Sequence, residues 1–202
     1  MTHDANVNWQ YPAPRTGFMG EMDKFLGPGT TRAEFWLEIG AAVAAAVALV
    51  LYALAKPLDW SVWQFLVAAL LTLDIVGGVV TNAASSAKRW YHRPQQGLRQ
   101  HMTFIAVHAL QLVLMVLFFR ANDWGYFVIA YGYLLLSSLV ILRLPLYLQR
   151  PAAMLALCGG FVLNSYVLIP AAGLEWFLPV FYLKLLVCHL LREEPYRPTG
   201  ES

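Results

Sequence analysis

Residues 61–84 read SVWQFLVAALLTLDIVGGVVTNAA, and residues 85–94 continue as SSAKRWYHRP. Crossing the hydrocarbon of a bilayer takes roughly 20 mostly apolar residues in a helix. The first stretch meets that length and holds one charged residue, Asp74. It runs straight into a basic, aromatic loop carrying Lys88, Arg89 and Arg93. A span that ends in lysine and arginine reads as a transmembrane helix leaving the bilayer on its cytoplasmic side.

Five further apolar runs surround it: Ala33–Ala55, Gln100–Phe119, Trp124–Leu142, Pro151–Ala172 and Trp176–Leu191. The pattern predicts an all-α fold, a polytopic transmembrane bundle of six spans with both termini cytoplasmic. Residues 1–30 then form a polar cytoplasmic N-terminal tail, 31–192 the bundle and 193–202 a short cytoplasmic tail. The composition agrees. Of 202 residues 59% are hydrophobic and 13% charged, against about a quarter charged in a soluble domain. An ordinary water-soluble globule, a disordered chain and a disulfide scaffold are excluded on that ground.

Local signals place the ends of the spans. Thr31 and Glu34 have the spacing of a capping box. Pro57, Asn122-Asp123, Pro145 and Gly173 fall in the gaps, where helices break. Pro151 and Pro179 fall in the expected first turns of the last two spans, where a missing N–H costs little. Orientation follows from charge. Arg15, Lys24, Arg32, Lys88, Arg89, Arg93, Arg99, Arg143, Arg150, Arg192 and Arg197 lie in segments assigned inside, and only Lys56 and Arg120 outside. Trp60, Trp63, Trp124 and Trp176 then sit at the outer interface, which suits their amphipathic rings. No signal-peptide pattern precedes the first run, so the spans themselves are expected to drive insertion into the plasma (inner) membrane. Trp9, Tyr11, Phe18 and Phe25 are scattered through the polar segment 1–30, which reads as a flexible tail unless it packs on something. No internal repeat stands out, against the usual pattern of secondary transporters.

Polar groups inside hydrocarbon are costly and each needs a reason. Asp74 lies ten residues from the inner end of its span, about 15 Å deep. His108 and Lys184 reach about 12 Å from the same side. Glu38, Asn82 and His189 are shallower, and His92 and His101 mark the interface. In the outer half Asn164 is the one obvious polar group. Asp74, Gly77, Gly78 and Thr81 share a helix face, as do His101, His108, Gln111 and Met115, and as do Glu34 and Glu38. Lys184 and His189 lie about 140° apart on an α-helix, so they are expected not to face one centre.

These positions define the candidate chemistry. Asp74, His108 and Lys184 are the candidate catalytic residues. A carboxylate at mid-depth can pair with Lys184, ligate a metal or carry a proton. Lys184 is its partner, a Schiff-base lysine or a snorkelling side chain. The Gly77-Gly78 pair is expected to serve close helix packing. His101, His108, His189 and Asp74 form the candidate metal set, with a divalent ion as the cofactor it suits; no spacing selects haem. Asn82, Lys88, Arg89, Tyr91, His92 and Arg93 are the candidate substrate-binding residues, able to hold an anionic head group. Cys158 and Cys188 lie in apolar runs without metal or redox spacing. Motifs of serine hydrolases, P-loop ATPases, zinc proteases and dinucleotide enzymes are absent.

Three functions remain open: a membrane-embedded enzyme, metal-dependent in one form, acting on a lipid or other apolar substrate; a non-catalytic subunit or assembly factor of a membrane complex; and a proton- or ion-coupled small transporter. In layout the chain is similar to the membrane hydrolases related to alkaline ceramidase, which draw carboxylate and histidine ligands from several spans. It departs from them in span count and lacks their histidine pair at four-residue spacing, so no residue role is carried over. The expected partners are the lipid bilayer and a membrane-protein partner or second copy; a formal charge of +2 gives no reason to expect nucleic acid.

Overall fold

The computed structural model describes residues 5–198. The chain is an all-α bundle, apart from one ribbon of two three-residue strands joining its ends. Strand β1 (Ala5–Val7) pairs antiparallel with β2 (Tyr196–Pro198), Val7 opposite Tyr196. Between them run α1 (Gly17–Leu26), α2 (Arg32–Ala55), α3 (Val62–Ala83), α4 (Ser85–Tyr91), α5 (Leu98–Val107) and α6 (Ala109–Phe119). Then follow α7 (Trp124–Arg143), α8 (Leu146–Val162) and α9 (Phe177–Tyr182). A π-helical turn extends α8 over Leu163–Val167 and another extends α9 over Leu183–His189.

Among the described residues, five helical stretches are long and apolar enough to cross a membrane: Arg32–Ala55, Val62–Ala83, Leu98–Phe119, Trp124–Arg143 and Leu146–Val167. The sixth apolar segment, Phe177–His189, is shorter. It is nonetheless the centre of the bundle: every side chain from Phe177 to His189 except Val180 and Leu183 is buried. It also returns the chain to the end where it began, since β2 must reach β1. We call that the basal end.

Caps act where the sequence places them. Thr31 and Glu34 make both arms of a capping box, at 3.1 and 2.8 Å. Ser61 and Gln64 make a second, at 3.3 and 2.8 Å, a signal the span reading passed over. Asp123 caps α7 by accepting from the N–H of Tyr126 at 3.0 Å. Helices α2 and α3 pack through small residues. Ala42, Ala46 and Ala53 are buried on α2, and a Cβ on Gly77 would stand 2.9 Å from that of Ala42. Close approach of this kind is how helices associate where the solvent is as apolar as the side chains.

Two boundaries differ from expectation. α8 begins at Leu146, directly after Pro145, so Pro151 lies inside the helix rather than in its first turn. Pro145 sets the extended entry (φ −54°, ψ 147°) that a helix N-cap requires. Pro151 then deprives only the Tyr147 carbonyl of a donor, on an exposed turn where water serves. The third span is not continuous either. It breaks at His108, whose N–H bonds the Ile105 carbonyl at 3.2 Å. Its ring Nδ1 takes the Phe104 carbonyl at 2.7 Å. The side chain has displaced its own backbone from the i−4 acceptor, which tightens the turn to i−3.

The N-terminal segment packs. Helix α1 lies against α4, and a Cβ on Gly27 (φ +94°) would come within 2.3 Å of Ser86 backbone. Only glycine allows both that torsion and that approach. Arg15 closes the turn before α1 by a forked bond to Asp23, at 2.7 and 2.9 Å.

Candidate functional site

Helix α3 brings Asp74 into the bundle, and the π-helical end of α9 brings Lys184 to meet it. The Lys184 ammonium donates to both carboxylate oxygens at 2.9 Å. Gln111 on α6 donates its amide to Asp74 Oδ2 at 3.0 Å, and its own Oε1 is buried without a partner among the described residues. Gly78 makes the room: a Cβ there would stand 2.3 Å from Lys184 Cε. The two glycines expected to share one packing role therefore divide it, Gly77 towards α2 and Gly78 towards the lysine.

A cavity of about 180 Å³ opens on this pair, and Thr81, Asn82, Tyr91, Phe104, His108 and Phe25 complete its wall. The side chain of Lys184 is 4% exposed while that of Asp74 is 36% exposed, so the carboxylate is the more open member of the pair. The three candidate catalytic residues thus line one cavity. His108 donates from Nδ1 to a carbonyl, which can only accept, so a neutral ring holds its lone pair on Nε2.

Beneath the cavity runs a second polar chain. His101 Nδ1 lies 3.2 Å from His189 Nε2, and His189 Nδ1 lies 3.1 Å from Asn82 Oδ1. Asn82 Nδ2 donates to the Gly78 carbonyl at 2.7 Å, which leaves Oδ1 as the acceptor. With neutral rings, His189 then carries its proton on Nδ1 and accepts at Nε2 from Nδ1–H of His101. The His189 ring stacks on Phe104 with centroids 3.7 Å apart. Asn82 and Phe104 touch both networks, so Lys184 and His189 serve one region after all. The α-helical rotation that separates them does not apply, because in a π-helix residues five apart lie one above the other.

The candidate metal set does not gather. His101 and His189 spend facing nitrogens on each other, while His108 and Asp74 lie across the cavity wall. Among the described residues no three His, Cys, Asp or Glu side chains are placed to hold an ion. Both cysteines are free.

The candidate substrate-binding loop folds inward. As α4 it is a strut under the bundle. The Lys88 ammonium is 3% exposed and donates to the Cys188 and Leu191 carbonyls at 2.6 and 2.7 Å. It thereby caps the last helix, and burial lowers its pKa. His92 lies 3.0 Å from the His189 carbonyl. Burial, with His101 and Lys88 nearby, pushes its pKa down to about 3. Arg93 stacks on Trp90, 3.6 Å from the ring centroid. Arg89 is fully buried, its three guanidinium nitrogens without a hydrogen-bond partner among the described residues. Of the six, Asn82 and Tyr91 reach the cavity. The Tyr91 hydroxyl donates to the Lys24 and Phe25 carbonyls, each at 3.2 Å, and burial pushes its pKa up to about 12.

Sequence reasoning passed over three contributors. Gln111 was visible on the His108 stripe but was given no role. Phe104 shows no signal beyond helical spacing from His101 and His108. Phe25 comes from a segment that had no helix assigned. Compared with protein-family models, with curated proteins and with solved structures, the chain matches none of them.

Proposed function

We propose that the protein is a membrane-embedded enzyme that performs general acid–base chemistry on an amphiphile of the cytoplasmic leaflet, a lipid whose polar part enters the Asp74 cavity. The observation that carries this reading is the sharing of one partly open cavity by His108, Lys184 and Asp74. A base, a cation and a carboxylate around one space are the parts such a reaction needs.

The reaction that fits is hydrolysis of an ester or amide. His108 Nε2 takes a proton from water as the water oxygen bonds the carbonyl carbon. The Lys184 ammonium, which has a third N–H beyond its two bonds to Asp74, meets the charge that develops on the carbonyl oxygen. Collapse breaks the bond to the leaving oxygen or nitrogen, which receives the proton from His108. Asp74 holds Lys184 in place, and Gln111 holds Asp74 by its amide N–H.

The test uses purified protein in nanodiscs made from the total lipid of its host. Mass spectrometry is expected to find one lipid class cleaved with gain of water, and the products to vanish with Asp74→Asn and with His108→Ala while both variants stay folded. Turnover that survives in either variant, or no cleavage by the wild type, overturns the reading. The direct pairing of Asp74 with Lys184 favours a second reading, a non-catalytic subunit whose polar groups set helix register. That reading expects no turnover and loss of assembly in both variants.

A further inference from the structure

Helix α1 carries an apolar stripe on its outer side. Phe18, Met22 and Phe25 fall at i, i+4 and i+7, within about 60° of one another. Phe18 is 78% and Phe25 56% exposed. The opposite face is buried: Gly20, Asp23 and Leu26 pack against the basal end. Lys24 and Glu21 pair at 2.7 Å on the third side. Next to α1 the first turns of α2 expose Trp36 and Leu37, 69% and 64%, so the stripe continues the surface that the long apolar helices present outward. Beside it lies an open groove of about 590 Å³ lined by Phe18, Met19, Met22, Leu26 and Phe35, with Arg32 at its rim. An apolar face of this length, next to cations and level with the ends of spanning helices, matches the form of an interfacial helix.

The same helix forms the cavity wall. Phe25 lines the Asp74 cavity, and the Tyr91 hydroxyl ties the backbone of Lys24 and Phe25 to α4. Gly17, at φ +66°, and Gly27 and Gly29, at φ +94° and +78°, bracket the helix. We infer that α1 lies in the cytoplasmic interface of the bilayer, its stripe among acyl chains, and that Phe25 is the gate past which an inner-leaflet amphiphile reaches Asp74 and Lys184. The inference rests on the proposed reading only for what passes the gate. The partner of the stripe is the lipid surface itself.

Two measurements on the full chain test it, with Cys158 and Cys188 replaced by alanine. The first places a nitroxide at Phe18→Cys, Met22→Cys and Glu21→Cys in nanodiscs of phosphatidylcholine and phosphatidylglycerol. Collisions with oxygen are expected to outnumber those with a water-soluble nickel chelate at 18 and 22, and the order to reverse at 21. Equal water exposure at all three overturns the interfacial placement. The second follows modification of Thr81→Cys by ethyl methanethiosulfonate delivered from the bilayer. Phe25→Ala is expected to speed it about tenfold and Phe25→Trp to slow it, with Thr72→Cys, buried away from the cavity, unchanged. Rates that ignore residue 25 overturn the gate. Both readouts report access alone, so their failure leaves the acid–base reading standing. Surviving turnover in Asp74→Asn defeats that reading without moving either.

Discussion

Lys184 and Asp74, 110 residues apart, meet with both carboxylate oxygens 2.9 Å from one ammonium. The pair joins the shortest apolar helix to α3 at mid-depth, and its two members are unequally shielded. On the proposed reading, the stability of the bundle and the chemistry of the cavity depend on the same contact.

Removing one partner leaves a lone charge. Lys184→Met is expected to cost ~3 kcal/mol, the lower end for a broken buried pair, because Asp74 remains open to the cavity. Asp74→Asn with Lys184→Met should recover most of that loss. Denaturant unfolding in micelles reads both, and a double variant as unstable as the sum of the singles contradicts the pairing energy.

Gly77 and Gly78 should respond differently to the same methyl group. In Gly78→Ala the clash is with the far end of the Lys184 side chain, so the ammonium moves off Asp74, stability falls by up to the ~3 kcal/mol of the broken pair and turnover falls at least tenfold. In Gly77→Ala the obstacle is the Cβ of Ala42, on a helix that must shift. The expected cost is ~1–3 kcal/mol, as for other overpacked contacts. Thermal unfolding and lipid turnover, measured on both, separate the two effects.

The hydrogen-bond pattern makes a spectroscopic prediction. His101, His108 and His189 should all carry the proton on Nδ1 at neutral pH. Nitrogen-15 spectra of histidine-labelled protein distinguish the two ring nitrogens. Asn82→Leu removes the acceptor of His189 and should change the His189 signal and, through it, that of His101, while His108 stays as it was. A majority of Nε2-protonated rings contradicts the chain.

Acid should weaken the basal end. Burial holds the His92 pKa near 3 when folded, against about 6.5 in an unfolded chain. Between those values the unfolded state binds the extra proton, so this contribution is complete above pH 6.5 and is lost as pH falls towards 3. His92→Gln should flatten that part of the stability profile, which equilibrium unfolding between pH 4 and 7 measures.

Lys88→Met should shorten the last helix. Two carbonyls lose a charged donor, a loss of at least ~2 kcal/mol, and hydrogen exchange at the C-terminal turn should rise first.

The apolar runs and the Thr31 cap made the bundle readable in advance, because length and desolvation cost leave few alternatives, whereas the Asp74–Lys184 pair stood as one of several options for a carboxylate at that depth, since one chain does not tell which helices touch. The inward fold of α4 was not readable. Lysine and arginine after a span normally signal a solvated loop, and only the carbonyls at the end of the last helix explain why Lys88 is buried. The joining of His189 to the Lys184 region was hidden by a π-helical turn, which hydropathy does not announce. Helix α1 was legible and missed: Phe18, Met22 and Phe25 have helical spacing, but ten residues inside a Gly- and Pro-rich stretch look like tail.

The ribbon of β1 and β2 has a consequence for biosynthesis. Its second strand follows the last helix in chain order, so the floor that carries α1 cannot be locked until every helix has been made. A chain lacking Tyr196–Pro198 would still have every helix, yet α1 would lose the β1–β2 pairing and the Arg197–Gly29 bond that tie its flanks to the far end of the chain.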